Sequence, residues 1–289
     1  MIVVKLYGGL GNQMFQYATA RRLAHRWQTI PKLDVSGFAK DELRSYNLDI
    51  FNIQATFATS VEIDQLVKMR QSQGWLAKMQ RQTPSRPSTY IREQQFRFMP
   101  FILDLPNHVY LDGYWQSEKY FVEIANLLRQ EFRFRKELQG ENKQLAEKIA
   151  ACEAVSLHIR RGDYVTNPVA NQVLGVCSLE YYQRSVERVT QTLSSPCFFI
   201  FSDDPQWAEA HLRLPYSTTI VAHNRGEQSY EDMRLMSLCK HHIIANSSFS
   251  WWGAWLCAYP QKVVIAPQRW FNSSEWDATD LVPDSWIRL

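Results

Sequence analysis

The sequence predicts an α/β protein built as two Rossmann-like domains that face each other across a cleft. Three observations carry this expectation. The chain has 289 residues, which suits two domains of ordinary size better than one. It opens as strand, glycine-rich turn, helix and strand, a βαβ start. Its second half alternates short apolar runs with amphipathic stretches, the pattern of a doubly wound parallel sheet.

The elements follow in order. Ile2–Leu6 reads as a buried strand, and Gln13–Trp27 sets Met14, Tyr17, Ala18 and Leu23 near one face of a helix. Ile30–Asp34 is the second strand. Val61–Gln80 reads as an amphipathic helix and Arg81–Ser88 as a polar, proline-containing loop. Val109–Leu111 is a strand, and Ser117 caps a helix that runs to Phe132. The charged helical stretch Glu137–Glu153 connects the halves, so the expected domains are 1–150 and 151–289. Val155–Ile159 is then a strand, and Ser178–Leu193 a helix with Tyr182, Val186, Val189 and Leu193 along one face. Cys197–Phe201 is a strand, and Asp204-Pro205 reads as a cap followed by proline at the first helical position. Ser229–Lys240 is a helix, His242–Ala245 a strand, Ser248–Tyr259 a helix and Lys262–Ala266 a strand. No repeat or low-complexity segment interrupts the series.

Composition bounds the function. Hydrophobic residues make up 45% and charged residues 21%, as in ordinary soluble domains. A net charge of +3 is too small to argue for nucleic acid. The ten tryptophans suit either a core or stacking platforms for sugars. Cys152, Cys177, Cys197, Cys239 and Cys257 are scattered with no CxxC pair, which reads as reduced thiols in the cytoplasm rather than a disulfide framework or zinc site. The start MIVVKLYGGLGNQ lacks a charged n-region and a cleavage site, and no apolar run approaches a membrane span. A cytoplasmic protein is expected, with any membrane contact made from the surface.

Four stretches carry chemistry. GGLGNQMFQYA, Gly8–Ala18, places Gly9 and Gly11 where G-x-G-x-x-G needs them, but Met14 stands at the third position. Asp34 ends the second strand, where a ribose-binding acid belongs. A nicotinamide dinucleotide site, a plain tight turn and a loop whose N–H groups face another ligand all remain open. HIRRGDY follows a strand. Side chains alternate there, so His158 and Arg160 share one side and Arg161 takes the other. At the carboxyl end of such a strand, Arg160 suits a diphosphate grip, while Arg161 suits tying down neighbouring structure. Asp163 is either an arginine partner or a base. FFIFSDD ends a strand on Asp203 and Asp204; their adjacency departs from a metal-binding Asp-x-Asp, and one of them suits a helix cap. In ANSSFSWWGAWL, Asn246, Ser247, Ser248 and Ser250 precede or open a helix, which offers a second phosphate cradle or simple capping. His241 and His242 read as structural. Met233, Leu235, Met236, Trp251, Trp252 and Trp255 read as core.

Together GGLGNQMFQYA, DGYWQSEKYF (Asp112–Phe121), HIRRGDYV, FSDD and ANSSFSWWGAWL resemble, in order and spacing, the bacterial α-1,2-fucosyltransferases of glycosyltransferase family 11. The resemblance runs from Val4 to about Trp270; Phe38–Arg97 carries no matching motif. It implies a GT-B fold and inverting transfer from GDP-β-L-fucose to O2 of a terminal β-galactoside, with no metal or other cofactor. It implies that Arg160 binds the diphosphate, that His158 lies near the nucleoside, and that Asp232 meets the guanine edge. Asn246, Ser247, Ser248, Phe249 and Ser250 match a serine-rich phosphate loop, and Arg161 and Asp203 are also expected among the substrate-binding residues. Gly9, Gly11 and Asn12 resemble a loop near the reacting sugar. The expected catalytic set is Arg160, Asp163 and Asn12, with Asp112 a further candidate base. The expected acceptor is a galactose-terminated oligosaccharide or a lipid-linked glycan, which brings peripheral contact with the inner membrane face. Two other readings stay open: an NAD-dependent oxidoreductase, and a non-catalytic glycan-binding protein.

Overall fold

The computed structural model describes residues 1–41, 43–67, 89–162, 165, 167–273 and 275–289. They form two compact units, Met1–Arg135 and Lys136–Leu289, and each holds one all-parallel sheet.

The first unit contains β1 (Ile2–Lys5), α1 (Leu10–Arg26), β2 (Lys32–Asp34), β3 (Thr56–Phe57), β4 (Tyr90–Arg92), β5 (Val109–Asp112) and α2 (Ala125–Glu131), with sheet order β3-β2-β1-β5-β4. α1 begins at Leu10, earlier than the apolar spacing predicts. Gly8, at φ +76°, makes the turn, and Gly9 is the N-cap. Gly11 and Asn12 therefore lie in the first turn of the helix. α1 is buried on nearly every side from Leu10 to Ala24. Its charge is neutralised inside: Arg21 Nε donates to Glu131 Oε1 at 2.9 Å, and the Tyr17 hydroxyl donates to Glu131 Oε2 at 2.5 Å. A buried ion pair persists only when its remaining lone pairs are satisfied, and Tyr17 does that here. Ser117 does cap, accepting Lys119 N–H at 3.3 Å, but the helix it opens is one short turn. Phe121 leaves helical geometry at φ −142°, a second short turn covers Val122–Ile124, and α2 starts only at Ala125. The expected helix Val61–Gln80 is helical at 61–67; its remainder and the loop Arg81–Ser88 lie outside the described residues.

The second unit contains α3 (Gly140–Ala150), β6 (Glu153–Ile159), α4 (Pro168–Leu174), α5 (Leu179–Thr190), β7 (Pro196–Ser202), α6 (Pro205–His211), β8 (Ser217–Val221), α7 (Tyr230–Leu238), β9 (His241–Ile243), α8 (Ser248–Leu256), β10 (Val264–Ala266) and β11 (Ile287–Arg288). The sheet order is β11-β10-β9-β6-β7-β8. Strand alternation sorts the core into two layers. Val155, Leu157, Ile159, Phe198 and Ile200 pack with Tyr182, Val186 and Val189 of α5. Ala154, Phe199 and Phe201 point the other way, against Leu145 and Ile149 of α3 and Leu235 and Met236 of α7. α3 thus belongs to the second unit, and the division falls before it, not at the expected 150/151. Trp251, Trp252 and Trp255 are buried, as core residues should be.

Candidate functional site

The parallel register of β6 and β7 builds the first cluster. Ile159 pairs with Ser202, so the two chains leave the sheet side by side. Arg160 Nη1 meets Asp203 Oδ2 at 2.9 Å. Asp203 Oδ1 accepts Arg161 N–H at 2.8 Å, so Asp203 braces both arginines. Arg161 Nε donates to Asp204 Oδ2 at 3.2 Å, and its guanidinium lies over the Trp207 ring at 4.2 Å. Asp204 also caps α6, accepting Trp207 N–H at 3.1 Å. Arg161 therefore ties the strand end to α6, as its expected position opposite Arg160 suggested. Gly162 is required by close approach: a Cβ there would sit 2.5 Å from Asp203 Oδ2. Asp163 lies outside the described residues.

His158 is buried, its ring 5.9 Å from that of Phe249 in the first turn of α8. Burial, and then the Arg160 charge, push its imidazole down to about 3, so it is neutral at physiological pH. Its Nδ1 has no hydrogen-bond partner among the described residues. The α8 terminus beside it is capped by Ser247, whose Oγ accepts Phe249 N–H at 3.3 Å, and no acidic residue sits in its first turn. The helix dipole is left uncompensated there by protein carboxylates, which favours an anion. Ser248 and Phe249 are half-buried in that turn, and Ser250 Oγ donates to the Ser247 carbonyl at 3.3 Å. Asn246 serves the fold: its buried amide donates to the carbonyls of Leu174 (2.7 Å) and Trp270 (3.2 Å).

Asp232 lies in the first turn of α7, half-buried. Desolvation, aided by the neighbouring Glu231 charge, pushes its carboxyl up to about 7. Asn224 Nδ2 donates to Asp232 Oδ1 at 2.8 Å. Next to them a cavity of about 820 Å³ is lined by Gly140, Asn142, His223, Asn224, Tyr230 and Glu231, among others. Asn142, His223 and Asn224 carried no signal in the sequence. Only the edge strand β8, half polar and easily read as loop, would have pointed to them.

In the first unit two distant motifs meet. Gln116 Nε2, from DGYWQ, donates to Asn12 Oδ1, from GGLGNQ, at 2.8 Å. Tyr7 and Tyr114 stand edge to face at 4.8 Å. The DGYWQ loop is strained: Trp115 sits at φ +57°, costly for a bulky side chain. Glu93 holds it there, accepting the N–H groups of Tyr114 (2.6 Å) and Trp115 (3.0 Å), and burial pushes Glu93 up to about 7. Gly113 is needed beneath, since a Cβ would come within 2.4 Å of Glu93 Cβ. Glu93 lies in the stretch that matched no motif. Gly9 remains the helix cap, with nothing nearer to its would-be Cβ than Arg44 Nη1 at 4.0 Å. Asp34 accepts from the Tyr110 hydroxyl (2.5 Å) and from Ser36 N–H (2.9 Å). Asp34 is also only 3% exposed, so it is turned into the fold rather than toward the ribose that a dinucleotide site would present.

The family model "Glycosyl transferase family 11" matches residues 1–289. The chain belongs to glycosyl transferase family 11. This family 11 chain is 35% identical over 292 residues to an alpha-1,2-colitosyltransferase of Escherichia coli, covering 100% of this chain and 99% of the other. It is 33% identical to the O-antigen biosynthesis glycosyltransferase WbnK of Escherichia coli, covering 98% and 99%. Galactoside alpha-(1,2)-fucosyltransferase 2 of Pongo pygmaeus is 24% identical, covering 88% and 68%. Among solved structures, the alpha-1,6-fucosyltransferase NodZ, known from Bradyrhizobium and soaked with GDP-fucose, superposes with a TM-score of 0.53 at 15% identity, covering 91% and 94%. The family 11 enzyme thus has the α/β, GT-B fold. No helix among the described residues is long and apolar enough to cross a membrane.

Proposed function

We propose that this glycosyltransferase moves L-fucose from GDP-β-L-fucose, with inversion, to O2 of a terminal β-galactoside on a surface-polysaccharide precursor. The observation that carries the reading is the braced Arg160 at the carboxyl end of β6, two residues after His158, whose ring lies 5.9 Å from that of Phe249 in the first turn of α8. The acceptor hydroxyl attacks the anomeric carbon, the bond to the β-phosphate oxygen breaks, and the electron pair leaves with GDP. Arg160 and the α8 terminus act on the charge that develops on the diphosphate, where preorganised groups contribute most. Asp232 reads the guanine N1–H and exocyclic amine. Asp163 is the carboxylate assigned to take the proton of the acceptor hydroxyl as it attacks. A lipid-linked acceptor would bring the enzyme to the inner membrane face.

The 35% identity to a colitosyltransferase favours a second donor, GDP-colitose, which lacks only the 3-hydroxyl of GDP-fucose. Competition between the two donors, read by mass spectrometry of the product, tests the choice. Preferred transfer of fucose supports the first reading, and preferred transfer of the 3-deoxy sugar replaces it.

Activity is expected to survive exhaustive chelation with EDTA. Asp203 and Asp204 are engaged by Arg160 and Arg161, and these arginines supply the positive charge that a metal would bring. Loss of activity that manganese or magnesium restores would overturn this.

Donor affinity is expected to fall in mild acid. Asp232 accepts from guanine as a carboxylate, and its carboxyl is pushed up to about 7. Protonation below that value removes the binding form, so the Kd for GDP-fucose rises roughly tenfold per pH unit below 7. The sugar nucleotide is the right probe because its diphosphate does not titrate in this range. A Kd that stays flat from pH 8 to pH 5.5 would show that Asp232 does not meet the base.

A further inference from the structure

An amide relay backs Asp232, and it begins on the helix that opens the second unit. Asn142, in the first turn of α3, faces Asn224, which lies 82 residues later between β8 and α7. The two side chains exchange both hydrogen bonds. Asn142 Nδ2 donates to Asn224 Oδ1 at 2.8 Å, and Asn224 Nδ2 donates to Asn142 Oδ1 at 2.9 Å. His223 Nε2 makes a further contact with Asn142 Oδ1 at 2.7 Å, and Glu141 Oε1 stands 3.4 Å from His223 Nδ1. At the other end, Asn224 Nδ2 donates to Asp232 Oδ1 at 2.8 Å.

The reciprocal pair decides which way Asn224 points. An amide has a donor end and an acceptor end, and a half-turn exchanges them. With Asn142 in place, a flipped Asn224 would oppose donor to donor and acceptor to acceptor. Without it, Asn224 is free to turn its oxygen toward Asp232, an arrangement that suits only a protonated carboxyl. No other protein donor reaches Asp232 among the described residues. Around it stand Glu231 on the same helix, itself 3.6 Å from Arg234 Nη1, and the relay ending in His223 and Glu141.

We infer that Asn142 is a positioning residue for the nucleotide base of the donor: by fixing the orientation of Asn224, it keeps Asp232 an ionised, correctly aimed acceptor for guanine. The inference rests on the GDP-sugar reading above. It extends base recognition to a helix that carries none of the residues expected at the site.

Calorimetry with GDP and with inosine diphosphate, which lacks the exocyclic amine, tests it on the wild type, Asn142→Ala, Asp232→Ala and the double variant. Asn142→Ala should weaken GDP about 3–10-fold, the effect of about one hydrogen bond. It should weaken inosine diphosphate less, so discrimination between the two narrows. The midpoint for GDP-fucose binding should move to higher pH, because Asp232 loses the donor that favours its charge. In the Asp232→Ala background the Asn142 substitution should have no further effect, since nothing is left to position. Equal weakening of both nucleotides, additive effects in the double variant, or unchanged GDP affinity would each overturn the inference. Should Asn142→Ala fail to fold, His223→Ala at the outer end carries the same test, with a smaller loss that also vanishes when Asp232 is alanine. Failure of the wild type to bind GDP at all would overturn the donor reading, and this inference with it.

Discussion

Arg160→Ala is expected to lower turnover by about 10²–10³, or ~3–4 kcal/mol, with the melting temperature little changed. In the proposed reaction the guanidinium meets the negative charge that grows as GDP departs, and a contact made there is stronger in the transition state than in the ground state. Asp203 holds Arg160 in place from the neighbouring strand at 2.9 Å, so the group is set before the substrate arrives. Arg160→Lys should recover little of the loss, because an ammonium lacks the planar fork that matches a diphosphate. Removing arginine also leaves Asp203 with one fewer cation, though Arg161 N–H still binds its other oxygen. The fold should therefore persist, and circular dichroism with kinetics on the same samples separates the two effects. Near-wild-type turnover in either folded variant would remove Arg160 from the diphosphate site.

Asp232→Ala is expected to weaken GDP-fucose roughly 10–150-fold, the effect of hydrogen bonds to a charged group. Acceptor KM should stay nearly constant, because the proposed role of the carboxylate is confined to the base. Adenine presents an amine and a ring acceptor where guanine presents two donors, so discrimination against ADP should narrow as well. The variant removes a carboxyl whose ionisation is held back by burial, which gives no reason for lost stability. Early melting with donor affinity preserved would make Asp232 a structural partner of Asn224 and nothing more.

Much of this was legible in the residues, for reasons that the structure makes plain. VSLHI reads as a strand because Val155, Leu157 and Ile159 alternate with Ser156 and His158; all five are buried because β6 lies in the middle of its sheet with both faces covered, and HIRRGDY marks its carboxyl end. ANSSFSWW announced a capped helix because serine side chains satisfy terminal N–H groups whatever surrounds them. The arginine partners were harder. Sequence proximity pointed to Asp163, which lies outside the described residues; among the described residues the partners are Asp203 and Asp204, brought alongside by parallel pairing with β7. FSDD was visible as a motif, but its register was not. Edge strands left the weakest trace: β8 alternates only partly, and β3 and β11 have two residues each. The relay through Asn142 and Asn224 was invisible for the same reason. Asparagine on a charged helix reads as solvated surface until the fold sets a second amide against it. Glu93 likewise gave no sign, because its role is set by the positive φ of Trp115.

The transfer reaction itself tests the central claim most directly. Purified enzyme is incubated with GDP-fucose and a panel of β-galactosides, GDP release is followed, and the product linkage is read by NMR. The account predicts GDP release that depends on the galactoside and yields an α-fucosyl residue on galactose O2. GDP-fucose left intact with every galactoside, or fucose joined at another hydroxyl, would contradict it.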